Sequence, residues 1–420
     1  MINKATVKSP REAAYFAVLS FLRDEGFAGE WLKLWKEEAI PAQIDYNLAR
    51  EITFGIIRRK LTLDFLAKEL TPKKRLDLKT REKVLLRMAI YQKVFMARIP
   101  DHAIVNESVE LAKKHCHPSF VNFLNAILRK LVQAPPLLPQ GVTVPELSIR
   151  FSYPEYFVNL LINTIGLEKT KAILQAENSP PKTMFRLLPS EETIEEKDGT
   201  TLIAGTKTPV AILEDATLLN EIASSSNYYI QNITQITLMD KLIEKAPVPS
   251  RILDLCAAPG GKLLSLYSAF PTSSLHANDI SIEKLKKLEE NKTKYQIPVM
   301  LYSMSGEKFS TNTPFDLIVI DAPCSNTGVL AKRPEARWRL TAKNLEQLTT
   351  LQMQLLRNAL TLLNDDGEIW YLTCSILKIE NNDLVEEFAK ENDLEIRLIE
   401  TIYPNEDGWE GGFAAALRRK

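Results

Sequence analysis

Two short stretches of this 420-residue chain place a cysteine where it could do chemistry: Asp321-Ala322-Pro323-Cys324-Ser325 and Thr373-Cys374-Ser375. Each follows directly on an apolar run of strand character, residues 317–320 in the first case and 368–372 in the second. A lone buried cysteine is most often inert packing. Two of them, each bracketed by small polar residues at a strand end, point instead to thiols projecting from one edge of a sheet. The useful species is the thiolate. A free thiol of pKa about 8.5 is only a few per cent ionised at neutral pH, so the surroundings of a working cysteine have to favour the anion.

Addition to an electron-poor ring would use such a pair. Carbon 5 of a cytosine is a poor nucleophile and does not attack a sulfonium methyl unaided. A thiolate that adds to carbon 6 turns carbon 5 into an enamine-like nucleophile; a base must afterwards remove the carbon 5 proton so that the thiolate can leave. Asp321, just ahead of Cys324, is placed to hydrogen-bond the base edge around N3 and N4 and to stabilise charge developing on the ring.

A cofactor site is written a little earlier. The apolar run 252–256 enters the turn Ala257-Ala258-Pro259-Gly260-Gly261-Lys262 and then a helix. Glycines in such a turn let backbone approach a ligand lying across the strand ends. The pattern is neither the Gly-x-Gly-x-x-Gly dinucleotide fingerprint nor a P-loop. Asp279 closes the next strand, about 25 residues after Asp254. An acid at that place accepts hydrogen bonds from ribose hydroxyls, although by itself it could equally cap the following helix. Turn and acid together argue for a nucleoside cofactor. Cys256, inside the turn, reads as a small residue that fits there. His115-Cys116-His117 offers adjacent side chains that rarely converge on one ion, and no metal is expected.

The elements that must position these groups are legible in outline. Residues 9–133 read as helices, with Ala13, Ala14, Phe16, Ala17, Leu19 and Leu22, and again Leu85, Leu86, Met88, Ala89, Tyr91 and Val94, at helical spacing. A proline-rich linker follows over 134–144. Residues 145–235 read as a small α+β region, with a helix over 156–175 and a strand over 183–188. From 236 to 420 short apolar strands (252–256, 275–278, 317–320, 368–372) alternate with helices (282–292, 345–363), which predicts a parallel, doubly wound Rossmann-like sheet with ligands at its carboxyl edge.

A formal net charge of zero conceals an asymmetry. Residues 1–133 carry 24 Lys and Arg against 15 Asp and Glu, and the rest of the chain 29 against 38. A basic lobe suggests a polyanionic partner, with Lys73, Lys74, Arg75, Lys79, Arg81, Lys83 and Arg87 as one candidate face. Arg333, Arg337 and Trp338, just beyond the first cysteine loop, are candidates to hold an extruded base by stacking and phosphate contacts. The chain opens without an apolar signal region and has no run of the roughly 18 apolar residues a membrane span needs. Its scattered cysteines give no disulfide framework, so a reduced cytoplasmic protein is expected.

In combination, Asp254-Leu255-Cys256-Ala257-Ala258-Pro259-Gly260-Gly261-Lys262, Asp321-Ala322-Pro323-Cys324-Ser325 and Thr373-Cys374-Ser375 resemble the motifs of the RNA 5-methylcytosine methyltransferases. Lys332-Arg333-Pro334-Glu335-Ala336-Arg337-Trp338 and Gly412-Phe413-Ala414-Ala415-Ala416 match further segments of that family. Ahead of them, the segments starting at Arg50, Arg98 and Asn122 resemble a NusB-type RNA-binding domain. The combination is similar to the bacterial RsmB-type (Sun, Fmu) enzymes. That resemblance implies S-adenosyl-L-methionine as cofactor and 16S ribosomal RNA as partner, with cytosine 967 as target. It makes Cys374 the nucleophile and Cys324 the group that assists product release, with Asp321 at the base edge and Lys262 beside them. The cofactor would be held by Cys256, Ala257, Ala258, Pro259, Gly260, Gly261, Lys262, Asp279, Ser305 and Asp321. Departures from the family pattern fall at Ser305 and Asn232, where it has acids, and at Leu188, where it has Asn. Transfer RNA or another ribosomal site as substrate, and an inactive ribosome-assembly factor, remain open as alternatives. A DNA cytosine methyltransferase, which would use Cys324 as nucleophile, is a further one.

Overall fold

The structure is a computed structural model in which residues 3–71, 74–188 and 198–420 are described. It divides into two units, Met1–Leu174 and Gln175–Lys420.

The first unit is helical throughout: Pro10–Leu22, Ala28–Ala39, Gln43–Arg58, Lys60–Glu69, Thr80–Phe95, Asp101–His115 and Pro118–Gln133, then Val144–Phe151 and Glu155–Ile165. Local signals set the boundaries. Pro10 and Pro118 occupy first-turn positions where a missing N–H costs nothing, and Thr143 with Glu146 forms a capping box. The helix expected over 156–175 is two, Glu155–Ile165 and Leu167–Ala176, parted at Gly166 with φ +82°. Residues 84 to 92 of Thr80–Phe95 are buried on every side, because this helix is central to the unit. Gly55 makes the packing possible. A Cβ there would lie 1.9 Å from the Tyr91 ring, whose hydroxyl donates to Glu51 Oε1 at 2.6 Å. Of the candidate basic face, Arg87 is spent on a bidentate pair with Asp64 (2.7 and 2.8 Å) and Lys74 faces Glu69 at 2.8 Å. Lys73 lies outside the described residues.

The second unit carries two sheets. Strands β1 (Met184–Leu187), β2 (Thr200–Leu202), β3 (Val210–Leu213) and β4 (Tyr228–Ile230) form a small antiparallel sheet ordered β2-β3-β1-β4. The large sheet uses β5 (Arg251–Asp254), β6 (Ser274–Asn278), β7 (Val299–Tyr302), β8 (Phe315–Asp321), β9 (Leu363–Thr373), β10 (Leu394–Ile402) and β11 (Gly412–Arg419), in the order β10-β11-β9-β8-β5-β6-β7. β7, β6, β5, β8 and β9 are parallel, whereas β11 pairs antiparallel with both β9 and β10, so the sheet is mixed at one edge where alternation alone predicts a parallel one. Helices cover both faces over two apolar cores, one around Leu253, Ile318, Ile320 and Phe388 and one around Ile252, Leu264, Val319 and Trp370. Alternate residues of one strand feed opposite cores, the signature of a sheet buried on both sides. The strand order reverses between β5 and β8, which puts the crevice for a ligand at their carboxyl ends. No helix of the described residues is long and apolar enough to cross a membrane.

Candidate active site

Parallel pairing of β8 with β9 sets Asp321 opposite Leu372, so the loops that leave these strands emerge side by side. Cys324 Sγ and Cys374 Sγ stand 3.2 Å apart, within hydrogen-bond range. Cys324 is buried and Cys374 half-buried. Contact with Cys374, reinforced by burial and by Glu380, holds the Cys324 thiol well above the usual thiol range. Cys374 Sγ also reaches Asn326 Oδ1 at 3.4 Å, and Arg333 donates to the same oxygen at 2.7 Å.

A fully buried carboxylate, which sequence reasoning missed, joins the two loops. Glu380 accepts from the Ser325 backbone N–H (2.9 Å), Ser325 Oγ (2.5 Å), Ser375 Oγ (2.6 Å) and Gln352 Nε2 (3.1 Å). Ser325 and Ser375 follow the two cysteines directly, so one side chain fixes both loops. Thr327 and Asn381 extend the network to the Ile376 amide and the Ser375 carbonyl. Gly328 closes it: a Cβ there would meet the Gly411 backbone at 2.5 Å, and the Gly411 N–H donates to Gly328 O at 2.6 Å. Nothing in the motif spacing announced Glu380, which sits on a short turn after β9.

On the other side of Asp321, Lys262 Nζ lies 2.6 Å from Asp321 Oδ2. Lys262 is buried and Asp321 partly exposed, leaving Oδ1 free to meet a base edge. The turn between β5 and the helix Gly261–Ala269 fits a nucleoside cofactor. Gly260 has φ +105° with Leu288 3.6 Å from any added Cβ, and the first amides of that helix have no intrahelical partner. Asp279, buried at the end of β6, accepts from the Ala258 N–H (3.2 Å) and the Ser281 N–H (2.9 Å), bracing the turn as well as facing it. Ser281, not Asp279, caps the helix Ile282–Lys294. Ser305 donates to Glu307 Oε1 at 2.5 Å, which places a carboxylate two residues beyond the expected position. Cys256 is held protonated by burial and by Asp254, Asp321 and Asp279, in keeping with a packing role. Arg186, from β1, donates to Ser265 Oγ (2.5 Å) and Gly261 O (3.1 Å), tying the small sheet to the turn. Arg337 differs from expectation: it is fully buried and donates to Asn178 Oδ1 and Glu177 O, both at 2.8 Å, so it is a structural residue and not a base clamp. His115 and His117 diverge, the first to Glu12 at 2.8 Å and the second to Ser119.

Asp254 is wholly buried and its carboxylate oxygens lack a well-formed hydrogen bond among the described residues. Burial first, then Asp321, pushes it up to about 7, against the pull of Lys262 and the Cys256 amide. An acid raised on folding takes up protons between its unfolded value and about 7, so ionising it costs stability as pH rises through that window. Asp254→Asn is therefore expected to gain on wild type by up to about 1.4 kcal/mol per pH unit across that window. Thermal melts at pH 5 and pH 8 check this. A difference independent of pH would show that Asp254 is not raised.

A sheet of this order with its ligand turn after β5 is the frame of an S-adenosylmethionine-dependent methyltransferase, and this one carries paired thiols just beyond the carboxyl ends of β8 and β9. Within that class, residues 244–418 match the 16S rRNA methyltransferase RsmB/F family, and residues 8–133 match the NusB family. The chain is 26% identical to the probable ribosomal RNA small subunit methyltransferase B of Bacillus subtilis, over 98% of this chain and 99% of that protein. It is 29% identical to ribosomal RNA small subunit methyltransferase B of Vibrio cholerae, over 90% of each. The crystal structure of PH0851 shares the fold over 100% of this chain and 99% of its own (TM-score 0.75, 20% identity). That of NSun6 from Pyrococcus horikoshii covers 63% of this chain and 98% of its own (TM-score 0.50, 18% identity).

Proposed function

We propose that this protein transfers a methyl group from S-adenosylmethionine to carbon 5 of one cytosine in 16S ribosomal RNA, through a covalent bond between Cys374 and carbon 6. The contact between the Cys324 and Cys374 sulfurs carries the reading, since two touching thiols at the ligand edge of this fold have no packing purpose. Kinship with RsmB-type enzymes supports the 16S substrate, and cytosine 967 is the target it suggests.

The residues divide the work. Cys324, held well above the usual thiol range, keeps its proton and can donate it in a hydrogen bond to the Cys374 sulfur. Cys374 adds to carbon 6 while Asp321 accepts from the base edge, held in place by Lys262. S-adenosylmethionine, when bound, supplies the electrophilic methyl to which carbon 5 bonds. Once Cys374 is bonded to carbon, the largest of the influences that raise Cys324, its contact with the Cys374 thiol, is removed. Cys324 then gives its own proton to solvent and, as the thiolate, takes the carbon 5 proton, while the carbon 6–sulfur bond breaks with its electron pair returning to Cys374. The target base must reach these groups unstacked, which loop or single-stranded RNA permits at low cost.

The test is incubation of purified protein with labelled S-adenosylmethionine and, separately, unmodified 16S RNA, 23S RNA and transfer RNA, followed by nucleotide mapping. Label in 5-methylcytosine at one 16S position is expected. Label confined to transfer RNA would move the substrate, and none in any RNA would favour an inactive assembly factor.

A further inference from the structure

None of the residues around a second cavity belongs to the site described above. About 660 Å³ in volume, it lies in the helical unit, walled by helices Pro10–Leu22 and Ala28–Ala39 with Arg81 and His115 at its rim. Its size is that of a small-ligand pocket. One wall is aromatic: Phe16 and Trp31 are half-buried with ring centroids 6.1 Å apart, and Phe27 adds an exposed ring.

Two features mark it as more than a gap between helices. Tyr15, 1% exposed, lines the cavity, and its hydroxyl has no hydrogen-bond partner among the described residues. A buried phenol without a partner is costly and is normally satisfied, so a ligand acceptor is the natural complement. Cations flank the cavity as well. Arg81 is exposed and makes no ion pair or hydrogen bond among the described residues, and Arg23 and Lys4 reach carboxylates only at 3.8 Å. Of the two carboxylates in the lining, Glu30 is turned to the Phe27 N–H (3.4 Å) and Glu25 to Arg23.

We propose that this cavity binds one unpaired nucleotide of the RNA substrate, with the base against Trp31 and Phe16, the Tyr15 hydroxyl donating to a base-edge acceptor, and a flanking phosphate on Arg81 and Arg23. The proposal rests on the RNA reading of the active site and goes beyond it, since it assigns a second anchoring point. Flat aromatic walls, a lone donor and planar guanidinium groups are the apparatus by which single-stranded RNA is held. The basic excess of residues 1–133, 24 cations against 15 acids, agrees with a polyanion.

Fluorescence anisotropy on the full chain, with a labelled single-stranded RNA hexamer and a duplex of the same length at fixed salt, tests this. Hexamer binding is expected to exceed duplex binding, and Trp31→Ala and Arg81→Ala each to weaken it about tenfold, the scale of one lost stacking or phosphate contact. Trp31→Phe retains most of the affinity and Tyr15→Phe loses several-fold. A 4-thiouridine hexamer should crosslink to the peptide holding Trp31. S-adenosylhomocysteine binding and the helical circular dichroism of each variant report folding. Unchanged hexamer affinity in both alanine variants, or crosslinks elsewhere, overturns the proposal. So does an acidic peptide bound at Trp31 without competition from the hexamer, which would make the cavity a protein site. If wild type methylates 16S RNA but the variants bind the hexamer normally, only the cavity is lost. Should Trp31 govern hexamer binding while wild type methylates no RNA, the methyltransferase reading falls alone.

Discussion

Cys374→Ala is expected to abolish methyl transfer, by at least about ten-thousandfold, while Cys324→Ala leaves a protein–RNA adduct that survives a denaturing gel. The asymmetry follows from the order of events. Without the Cys374 sulfur no bond to carbon 6 forms, carbon 5 never becomes nucleophilic, and neither product nor adduct accumulates. Without the Cys324 sulfur, 3.2 Å away, addition and methylation still proceed, but the carbon 5 proton has no acceptor in place. The enzyme then stalls with RNA attached. Both variants should retain cofactor binding, because neither thiol belongs to the turn after β5. Methyl incorporation and gel mobility with all three proteins decide the matter. An adduct lost in Cys324→Ala and kept in Cys374→Ala would reverse the roles, as the DNA-type mechanism requires.

Glu380→Ala is the second large effect. This fully buried carboxylate takes four hydrogen bonds, from the Ser325 N–H and hydroxyl, the Ser375 hydroxyl and Gln352. Truncation leaves those buried donors without their acceptor. Breaking such a buried charged hub costs about 3–5 kcal/mol, or about 10 °C in the melting of a unit this size. Activity should fall further than stability explains, because Ser325 and Ser375 are the neighbours of both cysteines and their spacing sets the sulfur contact. Misplacing a reacting group by about 1 Å can cost about a hundredfold. Glu380→Gln, which keeps the length and one acceptor, should recover part of both losses. Differential scanning calorimetry with kcat at a temperature where each variant is folded separates the two readouts. An alanine variant that melts and turns over like wild type would show that the loops hold themselves.

Local chemistry in the sequence was enough to pick out the residues of the candidate site. The turn 257–262, the acid at 279 and the thiols at 324 and 374 each sit at the end of an apolar run, and apolar runs that alternate with helices leave few ways to build a sheet. Such groups act through their own residue type at a strand end, so their position along the chain already implies their place in space. The helical character of residues 9–133 was legible for the same reason, from periodicity.

What the sequence could not decide were contacts between segments far apart along it. Glu380 joins two loops whose serines, Ser325 and Ser375, are 50 residues apart, and its part depends on the side-by-side exit of β8 and β9. Arg337 looked like a ligand for RNA because Arg near a catalytic loop commonly is one, yet packing buries it against Glu177 and Asn178, nearly 160 residues away. Burial likewise turned Arg87 from a surface cation into an internal ion pair and raised Asp254, neither of which residue type or spacing can announce. β11 is antiparallel to both neighbours because it is inserted between β9 and β10, and strand order is a property of the assembled sheet. Residue type and period determined which groups are chemically able. The tertiary structure decided which of them meet, since desolvation and hydrogen bonding depend on neighbours that the chain brings together only when folded.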